Sequence, residues 1–593
     1  ATAPPGQLLP ASTRQLTANA SPDGARSMLV SAVLMRFPLL LVCLALACAT
    51  SATRPTAPAV DANGFSDAEK SAAAGIRPET IASHIRFLAD DLLAGRDPGT
   101  PGYDVAARYV ASELQALGLK PAGESGTYFQ KVPFLRATRV SDSVEFTGGT
   151  GAPVRLVPME NVFLSTDVDQ GVTDVSGEVV FAGYAIAVPE YGYDDFAQVD
   201  VRDKVVVAFM GAPRSERPDF FPSLASAVHG QSERVERDLM RRGARALIAV
   251  WPPAKEAITP FKLLAGYYGF DAMRLEDSPP TLPNGMIDSA TFQALLKQAG
   301  RPETVAQLVE ASAHGKPRGF SLGLRARIRR ESKIRRITSE NVVALLPGDP
   351  ASPTGKEMVI YGAHLDHMGI GKPVNGDNIY NGASDDAAGV ASILETARAF
   401  TRLGQPPRRG ILFLFVTAEE RGLLGSEWFA RHPTVPLQDV VADIDVDGAY
   451  PISPLKDVVA LGTDESSLGA NVVRAAAALG LQISPDPEPE EAYFVRSDNF
   501  NFVKKGIPAA QTFNGVAGLD PQQLAAWKDF WRRRYHQPQD NFEPDRDWGP
   551  FAELTRFNFL LGVSVAQAPS RPAWNANSWF RRFPEPKRAG EPD

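Results

Sequence analysis

Cysteine is almost absent: the 593 residues contain only Cys43 and Cys48. That excludes a disulfide framework and a thiolate zinc site, so any metal must take histidine and carboxylate ligands. Histidine is scarce too, at seven residues, few enough to weigh one by one. Excess positive charge is missing: 61 Lys and Arg stand against 69 Asp and Glu, a net charge of −8. Nucleic acid is therefore not an expected partner. With 44% hydrophobic and 22% charged residues, a mostly disordered chain is excluded. At ~150 residues per domain, the length suggests three or four units and a sizeable core.

Both cysteines lie in one apolar stretch. Met35-Arg36 precedes the run Phe37 to Ala49, which ends in small residues. Residues 35–50 read as a secretory signal peptide. The run is short for a bilayer span, but counting back through Leu29–Leu34 lengthens it and keeps an uncleaved anchor open. Residues 1–34, rich in Ala, Pro, Ser and Thr at their start, read as a disordered or upstream extension, with Met28 or Met35 as the true start. Ala45-Leu46-Ala47-Cys48 looks like a bacterial lipobox; a lipidated cysteine and an ordinary one both stay open. The expectation is a secreted or cell-envelope protein, periplasmic or lipid-anchored, attached to a membrane only through that end. Residues 51–76 read as a linker.

Further on, the pattern changes twice. Residues 77–159 open with helical spacing, as in Ile81, Ile85 and Leu88, and Val105–Leu117 repeats it. Residues 160–336 carry short β-branched runs at Glu178–Phe181, Lys204–Phe209 and Ala246–Val250, with a helical stretch at Ser232–Arg242. A separate β-rich α/β module is expected there. Residues 337–568 alternate strands with helices. Strands are expected at Met358–Tyr361, Gly410–Val416, Val440–Val446, Val458–Leu461 and Pro508–Phe513. Helices are expected at Ala387–Leu403, Leu423–Arg431, Leu468–Leu479 and Ala552–Val565. This alternation gives the fold class: α/β, a doubly wound, mostly parallel sheet with helices on both faces. Residues 569–593 read as a tail.

In such sheets ligands bind beyond the carboxyl ends of the strands. Those ends here read Gly362-Ala363-His364-Leu365-Asp366-His367, Thr417-Ala418-Glu419-Glu420 and Asp443-Ile444-Asp445-Val446-Asp447-Gly448. The loop opening the first helix is Gly382-Ala383-Ser384-Asp385-Asp386. Taken singly, an acidic pair is usually a solvated surface and a lone histidine a structural residue. Four clusters at successive strand ends are brought together by the fold. Converging anionic charge needs a cation, and N/O donors without thiolate point to zinc, with manganese or cobalt as lesser options.

The motifs Gly-Ala-His-x-Asp, Gly-Ala-x-Asp-Asp-x-Ala-Gly-Val, Ala-Glu-Glu-x-Gly-x-x-Gly-Ser, Asp447-Gly448 and Tyr535-His536-x-Pro-x-Asp540 resemble the M28 family of co-catalytic zinc peptidases, in that family's order. The resemblance covers roughly residues 340–565, with residues 77–135 similar to its N-terminal helices. The middle module, with Gly183-Tyr184, Tyr193-Asp194-Asp195-Phe196 and Lys204-Val-Val-Val, is similar to an inserted protease-associated domain. The resemblance implies two zinc ions per chain. One takes His364, Asp385 and Asp447; the other takes Asp385, Glu420 and His536, with Asp385 shared. It implies Glu419 as general base, Asp366 as the residue orienting His364, and a cis peptide between Asp385 and Asp386. Asp447 is preferred to Asp445, although both can face the site from one strand. His367 is left as a spare, supporting a ligand or exposed more readily than a ligand itself. His84, His229, His314 and His432 are taken as structural or surface residues. Tyr493 to Pro508 resembles a stretch lining the substrate side, in which Asn499 replaces a usual histidine. Glu490, Glu491 and Tyr493 are candidates for meeting a substrate's amino end.

Gly319-Phe320-Ser321-Leu322-Gly323 fits the serine-hydrolase signature, but no strand precedes it and no helix follows. A P-loop over Gly348–Lys356 fails on spacing. The reading is a zinc-dependent exopeptidase acting on peptides, an aminopeptidase first, with carboxypeptidase or dipeptidase action open. The alternatives are a single-zinc transferase similar to glutaminyl cyclase and a non-catalytic binding protein.

Overall fold

The computed structural model describes residues 64–584, apart from 216–219, 222, 453 and 490. The expected extension, signal segment and lipobox, with Cys43 and Cys48, lie outside the described residues.

The C-terminal half is built on strands Met358–His364, Gly410–Val416, Val440–Asp445 and Ala509–Asn514, which run parallel. Asp457–Leu461 joins one edge antiparallel, and the end of Gly319–Leu346 joins the other. The central strands are buried along their length and apolar apart from His364, Asp443 and Asp445 toward their carboxyl ends, as a sheet covered on both faces demands. Alternate residues serve alternate layers. Val359, Tyr361, Ile411, Phe413 and Ile444 pack on the side of helices Ala388–Thr401 and Gly549–Gln567. Ile360, Leu412 and Leu414 pack against Phe429 of helix Leu424–Arg431 on the other side. Doubly wound packing results. At Gly562 the long C-terminal helix approaches so closely that an added Cβ would lie 1.8 Å from Tyr361 Oη.

The expected linker to residue 76 and tail from 569 are structured in part. Ser66 and Glu69 form a capping box that starts helix Asp67–Ala74, and Phe65, Ala72, Ala73 and Ile76 enter the main core. After residue 569, Trp574 and Phe580 bury against Phe494 and Phe500. Apolar residues within these polar stretches decide their fate.

The middle module also departs from the expected bounds of 160 and 336. Two long strands, Phe129–Gly148 and Gly319–Leu346, pair antiparallel over most of their length. The second continues into the C-terminal parallel sheet at Val342–Leu346 and into the module's sheet at Gly319–Glu331. From there Val172–Ala182, Val205–Phe209, Ala246–Val250 and Asn284–Ile287 run parallel to one another. The two units therefore share one hydrogen-bonded ribbon. Ser321 sits within this extended strand, not at a strand-to-helix elbow.

One buried polar contact fixes an N-terminal helix on the central one. Glu395 accepts from Thr80 at 2.9 Å and from Arg398 at 2.8 Å, and its other neighbour is His84 at 3.4 Å. Burial alone would raise the Glu395 carboxyl, but His84, Arg398 and Thr80 outweigh it and bring it down from 4.5 to about 2. A depressed acid stabilises the fold above its unfolded value and loses that contribution as pH falls through the folded one. The difference corresponds to ~3 kcal/mol. In denaturant titrations, Glu395→Gln should be less stable than wild type by about that amount at pH 6. The gap should narrow as pH drops from about 4.5 toward 2. A gap independent of pH would remove this role.

Candidate metal centre

The strand ends deliver the site. His364 ends its strand, Glu419 and Glu420 follow Gly410–Val416, and Asp447 follows Val440–Asp445. Asp385 arrives from the loop before the central helix, and His536 from the loop after helix Pro521–Arg533. The peptide between Asp385 and Asp386 is cis.

Two clusters form with Asp385 between them. Its Oδ1 lies 2.9 Å from His364 Nε2, and its Oδ2 lies 2.7 Å from His536 Nε2. Asp447 Oδ1 is 3.3 Å from His364 Nε2, and Glu420 Oε1 is 3.2 Å from His536 Nε2. Asp386 also lies close to His364 and Asp447, and its Oδ1 accepts from Gly389 N, in the first turn of the central helix, at 2.9 Å. Asp445 is in neither donor group. Ser497 Oγ stands 2.6 Å from Asp445 and 2.7 Å from Asp447, tying one to the other. Glu419 Oε2 is 4.0 Å from His364 Nε2, and its side chain keeps 13% of its surface open.

The orienting role expected of Asp366 divides in two. His364 Nδ1 meets the Asp366 main-chain oxygen at 3.0 Å, whereas the nearest carboxylate oxygen is 4.0 Å away. The carboxylate instead accepts from the backbone N–H groups of Glu419 at 3.1 Å and Glu420 at 3.4 Å. It thus fixes the turn that aims the two glutamates. His367 is neither a surface residue nor remote: it is fully buried, with Nδ1 2.6 Å from Glu420 Oε1.

Two further residues build the cradle. Asp540, in the last motif, accepts from Ser384 N and Asp385 N at 3.0 Å each. Arg96 is almost completely buried. Its guanidinium donates to the carbonyls of Leu88, Leu365, Asn381 and Gly382. It therefore ties the His364 loop to the Asp385 loop. The sequence marks Arg96 only as one residue in a turn-rich stretch, and nothing in its neighbours signals burial. On the rim, Glu491 pairs with Arg496 at 3.0 Å and Tyr493 donates to Glu488 at 2.9 Å. Glu490 is outside the described residues. Asn499 donates to the Phe494 carbonyl, a backbone contact inside its own loop.

The donor set fits a divalent cation. Burial pushes Glu419 and Glu420 well above the usual carboxylate range. It also raises Asp366 to about 7 and lowers His536 to about 3. Burial opposes charge on His364, but Glu419, Asp385 and Asp447 raise it well above the usual imidazole range. A cation of charge two reverses this balance, holding carboxylates ionised and imidazoles neutral. Asp540→Ala leaves two buried N–H groups without an acceptor and frees the Asp385 loop. Zinc affinity should fall ~10–100-fold, as read by competition with a chromophoric chelator; unchanged affinity would show that the loop holds itself.

A model of Peptidase family M28 matches residues 341–558. Among curated proteins, a vacuolar membrane protease of Verticillium alfalfae is 28% identical over 221 residues, 36% of this chain and 18% of its own length. A vacuolar membrane protease of Aspergillus fumigatus is 35% identical over 193 residues, 32% of this chain and 17% of its own. The chain thus spans less than a fifth of either relative. Among solved structures, an aminopeptidase from Aneurinibacillus sp. strain AM-1 aligns over 85% of this chain and 97% of its own, with TM-score 0.50 and 18% identity. That likeness is one of fold. The expectation of a bacterial secreted or envelope protein is corrected here: the curated relatives are fungal proteins named for the vacuolar membrane. Among the described residues no helix is long and apolar enough to cross a membrane.

Proposed function

Since a model of Peptidase family M28 matches residues 341–558, we propose that the protein is a zinc-dependent exopeptidase, an aminopeptidase releasing N-terminal residues from peptides. The observation that carries this reading is the pair of histidine–carboxylate clusters sharing Asp385. In this reading His364, Asp385 and Asp447 hold one zinc, and Asp385, Glu420 and His536 hold a second. Bound there, the ions supply Lewis acidity and lower the pKa of water toward ~7.

The chain's own groups do the rest. The Glu419 carboxylate takes a proton from the attacking water and passes it to the leaving amine. Its place beside His364 and its partial exposure suit that task. Asp366 holds the backbone of both glutamates, so Glu419 and Glu420 diverge into separate roles. Ser497 steadies the outer oxygen of Asp447. Arg96 and Asp540 hold the two loops at a fixed separation. The middle module serves as a protease-associated cover. Its Phe270 packs edge-on against Tyr380 at 5.1 Å, with the Arg421 guanidinium over the ring at 5.1 Å. The segment after Glu420 thereby lies under the module.

Peptides with free, N-acetylated and C-amidated ends test the proposal. Release of the first residue only from free amino termini supports it. Release from the carboxyl end makes the protein a carboxypeptidase. Cyclisation of an N-terminal glutamine without peptide cleavage makes it a cyclase. Binding without turnover makes it a receptor.

A further inference from the structure

We propose that His367 is a metal ligand, a further donor to the cluster of Asp385, Glu420 and His536. The inference rests on the two-metal reading above and adds a residue to it.

His367 lies three residues beyond His364 on the same strand-end loop, so one loop sends an imidazole to each cluster. The ring is fully buried. Gly382, at φ +60°, packs flat against it: a Cβ there would lie 2.4 Å from His367 Cγ. The ring therefore has no room to move toward Gly382. His367 Nδ1 stands 2.6 Å from Glu420 Oε1 and 4.0 Å from Asp385 Oδ2. Yet neither ring nitrogen makes a hydrogen bond. A contact of 2.6 Å without hydrogen-bond alignment is what two lone pairs produce when they converge on a third point. Two further donor separations are 2.7 Å from His536 Nε2 to Asp385 Oδ2 and 3.2 Å to Glu420 Oε1. These four values bracket the ~3.3 Å edge of a tetrahedron with zinc bonds of ~2.0–2.1 Å. A buried imidazole with no partner would otherwise carry an unmatched polar group.

The assignment makes the two positions unequal. With His367, His536, Glu420 and Asp385, one position would have four protein donors. The other, with His364, Asp385 and Asp447, has three and keeps an open place. Glu419 stands on that open side, beside His364.

Zinc content after equilibration of the full-length protein with a nitrilotriacetate buffer tests this without reference to activity. The variants are His367→Ala and His367→Asn. An asparagine amide can replace Nδ1 as a donor to Glu420 but is a poor zinc ligand. Wild type should retain two zinc ions per chain. Both variants should lose one, with affinity at that position more than ~100-fold weaker, beyond the ~10–100-fold of an outer residue. If His367→Asn keeps its zinc as wild type does, His367 positions Glu420 and is not a ligand. If His367→Ala keeps it, the inference also falls. Matching thermal unfolding of the zinc-free forms separates metal loss from misfolding. Wild type with fewer than two zinc ions would instead overturn the two-metal reading itself.

Discussion

Glu419→Gln should lower turnover at least ~10²-fold, and up to ~10⁴-fold, while both zinc ions remain. Glutamine keeps the size of glutamate but cannot accept the proton of the attacking water. Its backbone N–H still reaches Asp366, so the turn should hold. Glu420→Gln should behave in the opposite order. It removes an anionic donor 3.2 Å from His536, so zinc content should drop toward one per chain and activity should fall with it. Metal analysis beside kinetics on the two variants separates the roles. Zinc loss in Glu419→Gln with retention in Glu420→Gln would exchange them. Unchanged turnover in both would place the chemistry elsewhere.

Arg96→Met should be the most damaging change outside the donors. The guanidinium is almost completely buried and satisfies four main-chain carbonyls from three separate segments. Each buried carbonyl left without a donor costs ~1–3 kcal/mol. The combined loss is therefore several kcal/mol, a large share of the ~5–15 kcal/mol that stabilises a folded domain. Urea unfolding should show a midpoint shift of that size or no folded protein. Zinc should bind more weakly wherever the fold survives, because the His364 and Asp385 loops are no longer tied. Arg96→Lys, with fewer donors and no planar fork, should recover part of the stability. Full stability in Arg96→Met would show that the carbonyls find other donors.

The legible part of the site was the part written in strand ends. Gly362–His367, Ala418–Glu420 and Asp443–Gly448 carry their chemistry in contiguous residues after apolar runs, and a parallel sheet places such ends side by side. Gly410–Val416 was equally readable, being apolar from end to end and too short for a helix. What escaped was of two kinds. Phe129–Gly148 and Gly319–Leu346 alternate in places, but their length and their passage between two units come from pairing partners far away in sequence. Arg96 and His367 are single residues whose importance is burial, and burial depends on which loop folds over them. Asp540 lay between these kinds: its motif marked it, while its bond to the Asp385 backbone emerged only in three dimensions. Phe65 and Trp574 make the same point for the chain's outer segments. Polar composition suggested a tether and a tail, but a few apolar side chains anchored both.

Anomalous diffraction at the zinc absorption edge, from crystals of the purified protein, tests the shared-carboxylate centre most directly. Two peaks ~3.5–4 Å apart are expected, one beside His364 and Asp447, the other beside Glu420 and His536, with Asp385 between them. A single peak, or two peaks that do not share Asp385, would contradict it.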